Sequence, residues 1–180
     1  YLGDTIEKIA YEKAGIIKPN VPVVLWERKK EAFDVLAKKA SECDSSCHAV
    51  SKKEYKIIEI NKKCIDFSVV SRYYDYGRII INTSAIYQVE NAVLAIRACE
   101  VLMRECGFER LHVKEGIQKM YWPARMEEII PNVYIDGAHN EDGMEAFVDS
   151  LKNAADLERC MLIFSVVQDK QYDKMIELLC

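Results

Sequence analysis

Segments whose apolar residues recur every three to four positions alternate along this chain with short β-branched runs, and that alternation limits the fold more than any other feature. Asp4 or Thr5 caps a first helix, about Thr5 to Ala14, with Ile6, Ile9 and Ala10 on its apolar face; Gly15 is expected to end it in a left-handed conformation. Val21 to Trp26 reads as a buried strand after Pro19, and Glu31 to Cys43 returns to helical period. Between His48 and Thr83 come three short segments, Tyr55 to Ile60, Cys64 to Ser71 and Arg78 to Asn82. They are separated by Asn61-Lys62-Lys63 and Asp75-Tyr76-Gly77, the pattern of a small antiparallel insert. Gln88 to Cys106 is the strongest helix, closed by Gly107, and Val113 to Met120 follows it. Trp122-Pro123 breaks helical continuity and marks a domain boundary, giving domains 1–121 and 122–180. Beyond it, strands at Met126 to Ile130, Val133 to Ile135 and Met161 to Val166 alternate with helices at Asp142 to Ala154 and from Tyr172 onward. A parallel sheet with covered faces is expected there.

Charge narrows the function classes. Against 25 basic side chains stand 29 acidic ones, a net charge of −4 over 180 residues, too little for an electrostatic reader of nucleic acid. The longest apolar runs fall far short of the ~20 residues that span a bilayer, so no membrane partner is expected. Seven cysteines without a CxxC pair point to a reducing, cytoplasmic compartment. Cys43, Cys47 and His48 lack the second ligand cluster that structural zinc needs, so reduced thiols are expected. Tyr1 opens the chain and Cys180 closes it inside an apolar pattern, as in a piece of a longer protein. No G-x-x-x-x-G-K-[ST] phosphate loop occurs in it.

Four places carry residues suited to chemistry. Asp136-Gly137-Ala138-His139-Asn140 follows an apolar run and precedes a helix, where ligands bind in open parallel sheets; the same residues also suit plain helix capping. Lys13, just before Gly15, reads as a cation at the negative end of a helix dipole. Arg125, two residues past Pro123, can reach a phosphate across a cleft or make a surface ion pair. Gln88 and Asn91 sit at a helix start and can read an adenine edge or cap.

Taken in order, Leu2-Gly3-Asp4-Thr5-Ile6, Glu12-Lys13-Ala14-Gly15-Ile16-Ile17-Lys18-Pro19, Gln88 with Asn91, Trp122-Pro123-Ala124-Arg125-Met126-Glu127, Asp136-Gly137-Ala138-His139-Asn140 and Asp169-Lys170 resemble the folylpolyglutamate synthase and dihydrofolate synthase family, within the Mur-ligase-like ATP-dependent amide ligases. The resemblance implies an α/β fold: the later part of a P-loop-type central domain with a small antiparallel β insert, then the start of a Rossmann-like parallel-sheet C-terminal domain. It implies that the phosphate loop and the magnesium-binding Ser, Glu and His lie outside this chain. By the same likeness Lys13 is a carbamate that ligates Mg²⁺, a hard ion preferring oxygen donors. Asn91 reads adenine, Arg125 reaches the ATP phosphates, and Asp136 and His139 line the nucleotide side of the cleft, with Lys13 and His139 catalytic. Gln88 and Lys170 are weaker transfers.

The implied reaction joins L-glutamate to a folate or to dihydropteroate through an acyl phosphate, using ATP and Mg. The alternative is a non-catalytic nucleotide-binding or interaction module of the same fold. The strings do not separate the two synthase activities and leave the oligomeric state open. Two departures stand out. The family's usual glycine is Ala124 here, harmless unless the backbone needs a positive φ, and its proline after Asn140 is Glu141, which suits a helix's first turn.

Overall fold

Thr5 accepts a hydrogen bond on its hydroxyl from the Lys8 N–H (3.3 Å), and that cap starts α1, Ile6–Ala14. The computed structural model describes residues 5–109, 112–154, 160–167 and 170–180. Leu2-Gly3-Asp4 and Asp169, part of the motifs above, lie outside the described residues. At the other end of α1, Gly15 is right-handed (φ −59°), not left-handed as expected. The helix tightens instead through three successive i→i+3 bonds, from Gly15, Ile16 and Ile17 to Glu12, Lys13 and Ala14, so no residue with positive φ is required.

The chain forms two compact units. The first takes the described residues within Tyr1–Tyr55, Val70–Asp75 and Ala92–Val113. In it α1 packs on α2 (Lys30–Glu42), and β1 (Val23–Trp26) pairs in parallel with β2 (Cys47–Val50), Val23 opposite Cys47 and Trp26 opposite Val50. Ala10, Ala14, Leu25, Ala40 and Val50 are buried. The second strand, β2, was not anticipated: Cys47-His48-Ala49-Val50 has no distinctive alternation and is ordered by pairing with β1.

Charge is also buried in this unit. Arg97 and Glu100, one helical turn apart, are 3% and 0% exposed and pair at 3.0 Å, Arg97 reaches Glu54 at 2.5 Å, and the Ser71 hydroxyl donates to Glu100. The Tyr73 ring lies against the guanidinium of Arg97, centroid to Cζ 5.1 Å, and of Arg104 at 4.3 Å.

The second unit takes Lys56–Val69, Tyr76–Asn91 and the described residues within Lys114–Cys180. Strands β3 (Tyr55–Ile60), β4 (Ile65–Val70) and β5 (Asp75–Ile81) form a sheet in that order, and their four-residue connections leave only the antiparallel sense. The Asn61 side chain accepts from the Lys63 and Cys64 amides to build the first turn. The second turn sits at Ser71, whose hydroxyl accepts from the Tyr73 and Tyr74 amides, rather than at Asp75-Tyr76-Gly77; Gly77, at φ 60°, lies within β5.

Helix α3 spans Tyr87–Glu105, followed by left-handed Gly107 (φ 71°), and α4 spans Val113–Gln118. Next come β6 (Glu127–Ile130), β7 (Val133–Ile135), α5 (Glu141–Ala154) and α6 (Tyr172–Leu179). The two strands pair antiparallel as a hairpin rather than in the parallel sheet expected there, since Pro131 and Asn132 alone join them and a parallel pair needs a long crossover, and Ile129, Ile130, Val133 and Ile135 are exposed. Met161 to Val166, expected as a strand, is not in one: an apolar run becomes a strand only with a hydrogen-bonding partner, and among the described residues no strand pairs with it. Helix α5 docks where α3 begins: Met126 and Ala85 are buried against Tyr87, Phe147 and Leu151, and buried Ser150 accepts the Ile86 N–H (3.0 Å) on its hydroxyl while donating to the Ala146 carbonyl. Among the described residues no helix is long and apolar enough to cross a membrane.

Candidate functional site

Three segments far apart in sequence converge on one cavity of about 210 Å³ in the second unit. The N-terminal end of α3 supplies Tyr87 and Asn91, the Pro123–Met126 turn supplies Arg125, and the β7–α5 loop supplies Asp136, Gly137 and His139. Asn91 donates through Nδ2 to Gln88 Oε1 (2.9 Å), which orients its amide. That amide retains a second N–H and a carbonyl oxygen, a donor and an acceptor side by side.

His139 is exposed, with Nδ1 2.9 Å from the Gly137 carbonyl. A carbonyl can only accept, so Nδ1 carries the hydrogen; Nε2 accepts in the neutral ring and donates to an anion only as imidazolium. Asn140 caps α5, its Oδ1 accepting from Gly143 N–H (2.8 Å), so the capping role holds for this residue of the motif.

Asp136 is the centre of the loop. Its Oδ2 accepts from the Tyr87 hydroxyl (2.7 Å) and the Met126 N–H (2.9 Å), and its Oδ1 from the Ala138 N–H (2.8 Å). Burial, reinforced by the hydrogen bond to Asp136 and by its charge, pushes the Tyr87 phenol far above its ordinary range, so it stays a neutral donor. Tyr87 is not among the site residues expected from the sequence. The available signal was spacing: it stands four residues before Asn91 and therefore on the same helix face.

Gly137 lies under Arg125. Its N–H donates to the Ala124 carbonyl (2.8 Å), and a Cβ built on it would come 2.7 Å from the Arg125 Nη1. Ala124 and Met126, on either side of Arg125, have φ of 53° and 50°. The condition attached to the missing glycine is thus met: position 124 does adopt a positive φ. Glu127 steadies the same turn by accepting from the Tyr121 hydroxyl and from the Ala124 N–H (2.8 Å), and these two bonds, the first chiefly, hold its carboxyl below the usual range.

Arg125 also borders a larger cavity of about 580 Å³, lined by Lys62, Lys63, Ser84, Gln88 and Trp122 among others. Lys13 belongs to the first unit, exposed in the last turn of α1. Among the described residues no three His, Cys, Asp or Glu side chains gather as a metal site, and a lysine ammonium is a donor, so as they stand these residues do not compose a magnesium site.

The chain is 33% identical over 186 residues to the dihydrofolate synthase/folylpolyglutamate synthase of Bacillus subtilis, covering 99% of this chain and 43% of that protein. It belongs to the folylpolyglutamate synthase and dihydrofolate synthase family. Among solved members of that family, the Mycobacterium tuberculosis folylpolyglutamate synthase complexed with ADP matches with a TM-score of 0.80 and 26% identity, over 99% of this chain and 41% of that one. An FPGS–AMPPCP–folate complex matches with a TM-score of 0.78 and 27% identity, over 99% and 44%. No family model matches the chain. The chain spans about two-fifths of the length of the synthases it resembles.

Proposed function

We propose that this chain supplies part of the nucleotide site of an ATP-dependent ligase that adds L-glutamate to a folate or to dihydropteroate. The meeting of Asn91, Arg125 and His139 in one cavity, from segments distant in sequence, is the observation that supports it. The Asn91 amide would read the adenine edge, the Arg125 fork would hold phosphate oxygens, and protonated His139 would donate from Nε2 to another. In the reaction, a carboxylate oxygen of the acceptor takes the γ-phosphoryl group and ADP leaves. The glutamate amine then attacks the acyl carbon and expels phosphate, losing a proton as the amide forms. Bringing two polyanions together dominates the barrier, so cationic side chains aimed at the phosphoryl group carry weight out of proportion to their number.

Lys13 as a magnesium-binding carbamate enters this proposal on the family resemblance alone, and no step is assigned to it. The assignment of residues 1–121 and 122–180 to two ligase domains, and a cytoplasmic location, belong to the same reading. The test is ligation by the complete gene product that carries these residues, given ATP, Mg²⁺, L-glutamate and either dihydropteroate or tetrahydrofolate, with the amide product followed by mass spectrometry. Product is expected, and Asn91→Ala and Arg125→Ala should raise the KM for ATP. Nucleotide binding without any amide would replace this reading with that of a non-catalytic nucleotide-binding module.

A further inference from the structure

We propose that Tyr87 is a positioning residue that, through Asp136, aims Arg125. The inference rests on the reading of Arg125 as a phosphate contact. A carboxylate has about four lone-pair sites. Three of those on Asp136 are taken from inside the protein, by the Tyr87 hydroxyl, the Met126 N–H and the Ala138 N–H, all between 2.7 and 2.9 Å.

What these bonds hold is not a relaxed turn. Ala124 and Met126 both carry side chains at positive φ, a conformation that L residues leave when nothing enforces it. The enforcement comes from three points. The Ala124 carbonyl is fixed by Gly137 N–H, the Ala124 N–H by Glu127, and the Met126 N–H by Asp136. Met126 is also anchored by its buried side chain against Ala85. With the residues on both sides pinned, the point and direction at which the Arg125 side chain leaves the backbone are set, and its guanidinium lies over Gly137 in the lining of the cavity.

Tyr87 completes the device from α3. Its hydroxyl is the one side-chain donor among the three on Asp136, and it draws the turn toward the helix face that carries Asn91. One carboxylate therefore ties the helix with the adenine-reading amide to the turn bearing the phosphate-reading arginine.

The experiment uses the complete gene product with Tyr87→Phe, which keeps the ring and removes only the hydroxyl, alone and combined with Arg125→Ala. ATP and adenosine are the two probes, with affinities read by calorimetry. Tyr87→Phe should weaken ATP about five- to tenfold, leave adenosine unchanged, and add nothing in the Arg125→Ala background. Equal weakening of ATP and adenosine, or additive losses in the double variant, would overturn the inference by making Tyr87 a direct contact. The turn is read separately by NMR, through hydrogen exchange of the Met126 amide and the Arg125 Nε resonance. Faster exchange and a shifted resonance are expected in Tyr87→Phe, and no change in either overturns the inference whatever the affinities show. If Arg125→Ala alone leaves ATP affinity intact, the phosphate-contact reading fails, and these NMR signals still decide whether Asp136 and Tyr87 hold the turn.

Discussion

Replacing Gly137 with alanine should separate the work of Arg125 from the stability of the loop that carries it. An alanine Cβ at this position would sit 2.7 Å from Arg125 Nη1, about 0.7 Å short of an ordinary contact, while the Ala124 carbonyl at 3.4 Å is not crowded. The obstacle is the far end of a flexible side chain. The guanidinium can swing away for less than about 1 kcal/mol, comparable with an ordinary surface substitution. What it loses is any charge-assisted bond to a phosphate oxygen, on the order of 1.5–3 kcal/mol. Nucleotide affinity should thus fall roughly ten- to a hundredfold while the melting temperature changes by no more than a few degrees. Titration calorimetry with ADP and a thermal melt of the same sample measure both. A strongly lowered melting temperature with unaltered ADP affinity would refute the reasoning, since it would mean that Gly137 serves the loop and not the arginine.

Other outcomes follow from the same structure. Glu100→Ala should cost about 3–5 kcal/mol in urea unfolding because Arg97 is left buried with its charge less compensated, whereas Arg97→Met with Glu100→Leu should cost less than the single change; the reverse order would contradict this. Ala124→Gly should raise stability by about 0.5–1 kcal/mol, the left-handed penalty relieved less the entropy that glycine adds to the unfolded chain, and a loss would show that φ 53° carries no strain. The Glu105 carboxyl is held below its ordinary value, chiefly by the Ser46 hydroxyl (2.7 Å) and also by His48 (2.9 Å). Its contribution to stability is therefore present above the unfolded glutamate pKa and lost as pH falls through the depressed one. In a carbon-13 titration, Ser46→Ala should move the midpoint upward. In the complete gene product, Lys13→Ala should lower ligation far more than Lys18→Ala, and equal effects would return Lys13 to a helix-end cation.

How much was legible beforehand depended on whether the signal was local. The Thr5 cap, the periodicity of α3 and the left-handed Gly107 are properties of neighbouring residues, and each was readable from the chain. The pairing of Cys47–Val50 with β1 was not, because four unremarkable residues become a strand only through a partner distant in sequence. Met161 to Val166 failed in the opposite sense, apolar like a strand but without a ladder among the described residues. In the candidate site, residue types pointed to Asn91, Arg125, Asp136 and His139, and they do line one cavity. Residue types could not say that the oxygens of Asp136 already accept three donors of the protein, nor that Tyr87 is one of those donors. Those facts depend on the turn of backbone at Ala124–Met126, which no side-chain pattern announces.

The hairpin of β6 and β7 bears on how this chain behaves in a test tube. Two strands alone make a marginal sheet, and this pair carries isoleucines and a valine facing water. Among the described residues neither strand pairs with a third, so their outer backbone groups offer a template on which another molecule's strand can add. Concentrated samples should therefore aggregate through this edge first, and a lysine at Ile130 should delay that loss of solubility without disturbing the nucleotide cavity.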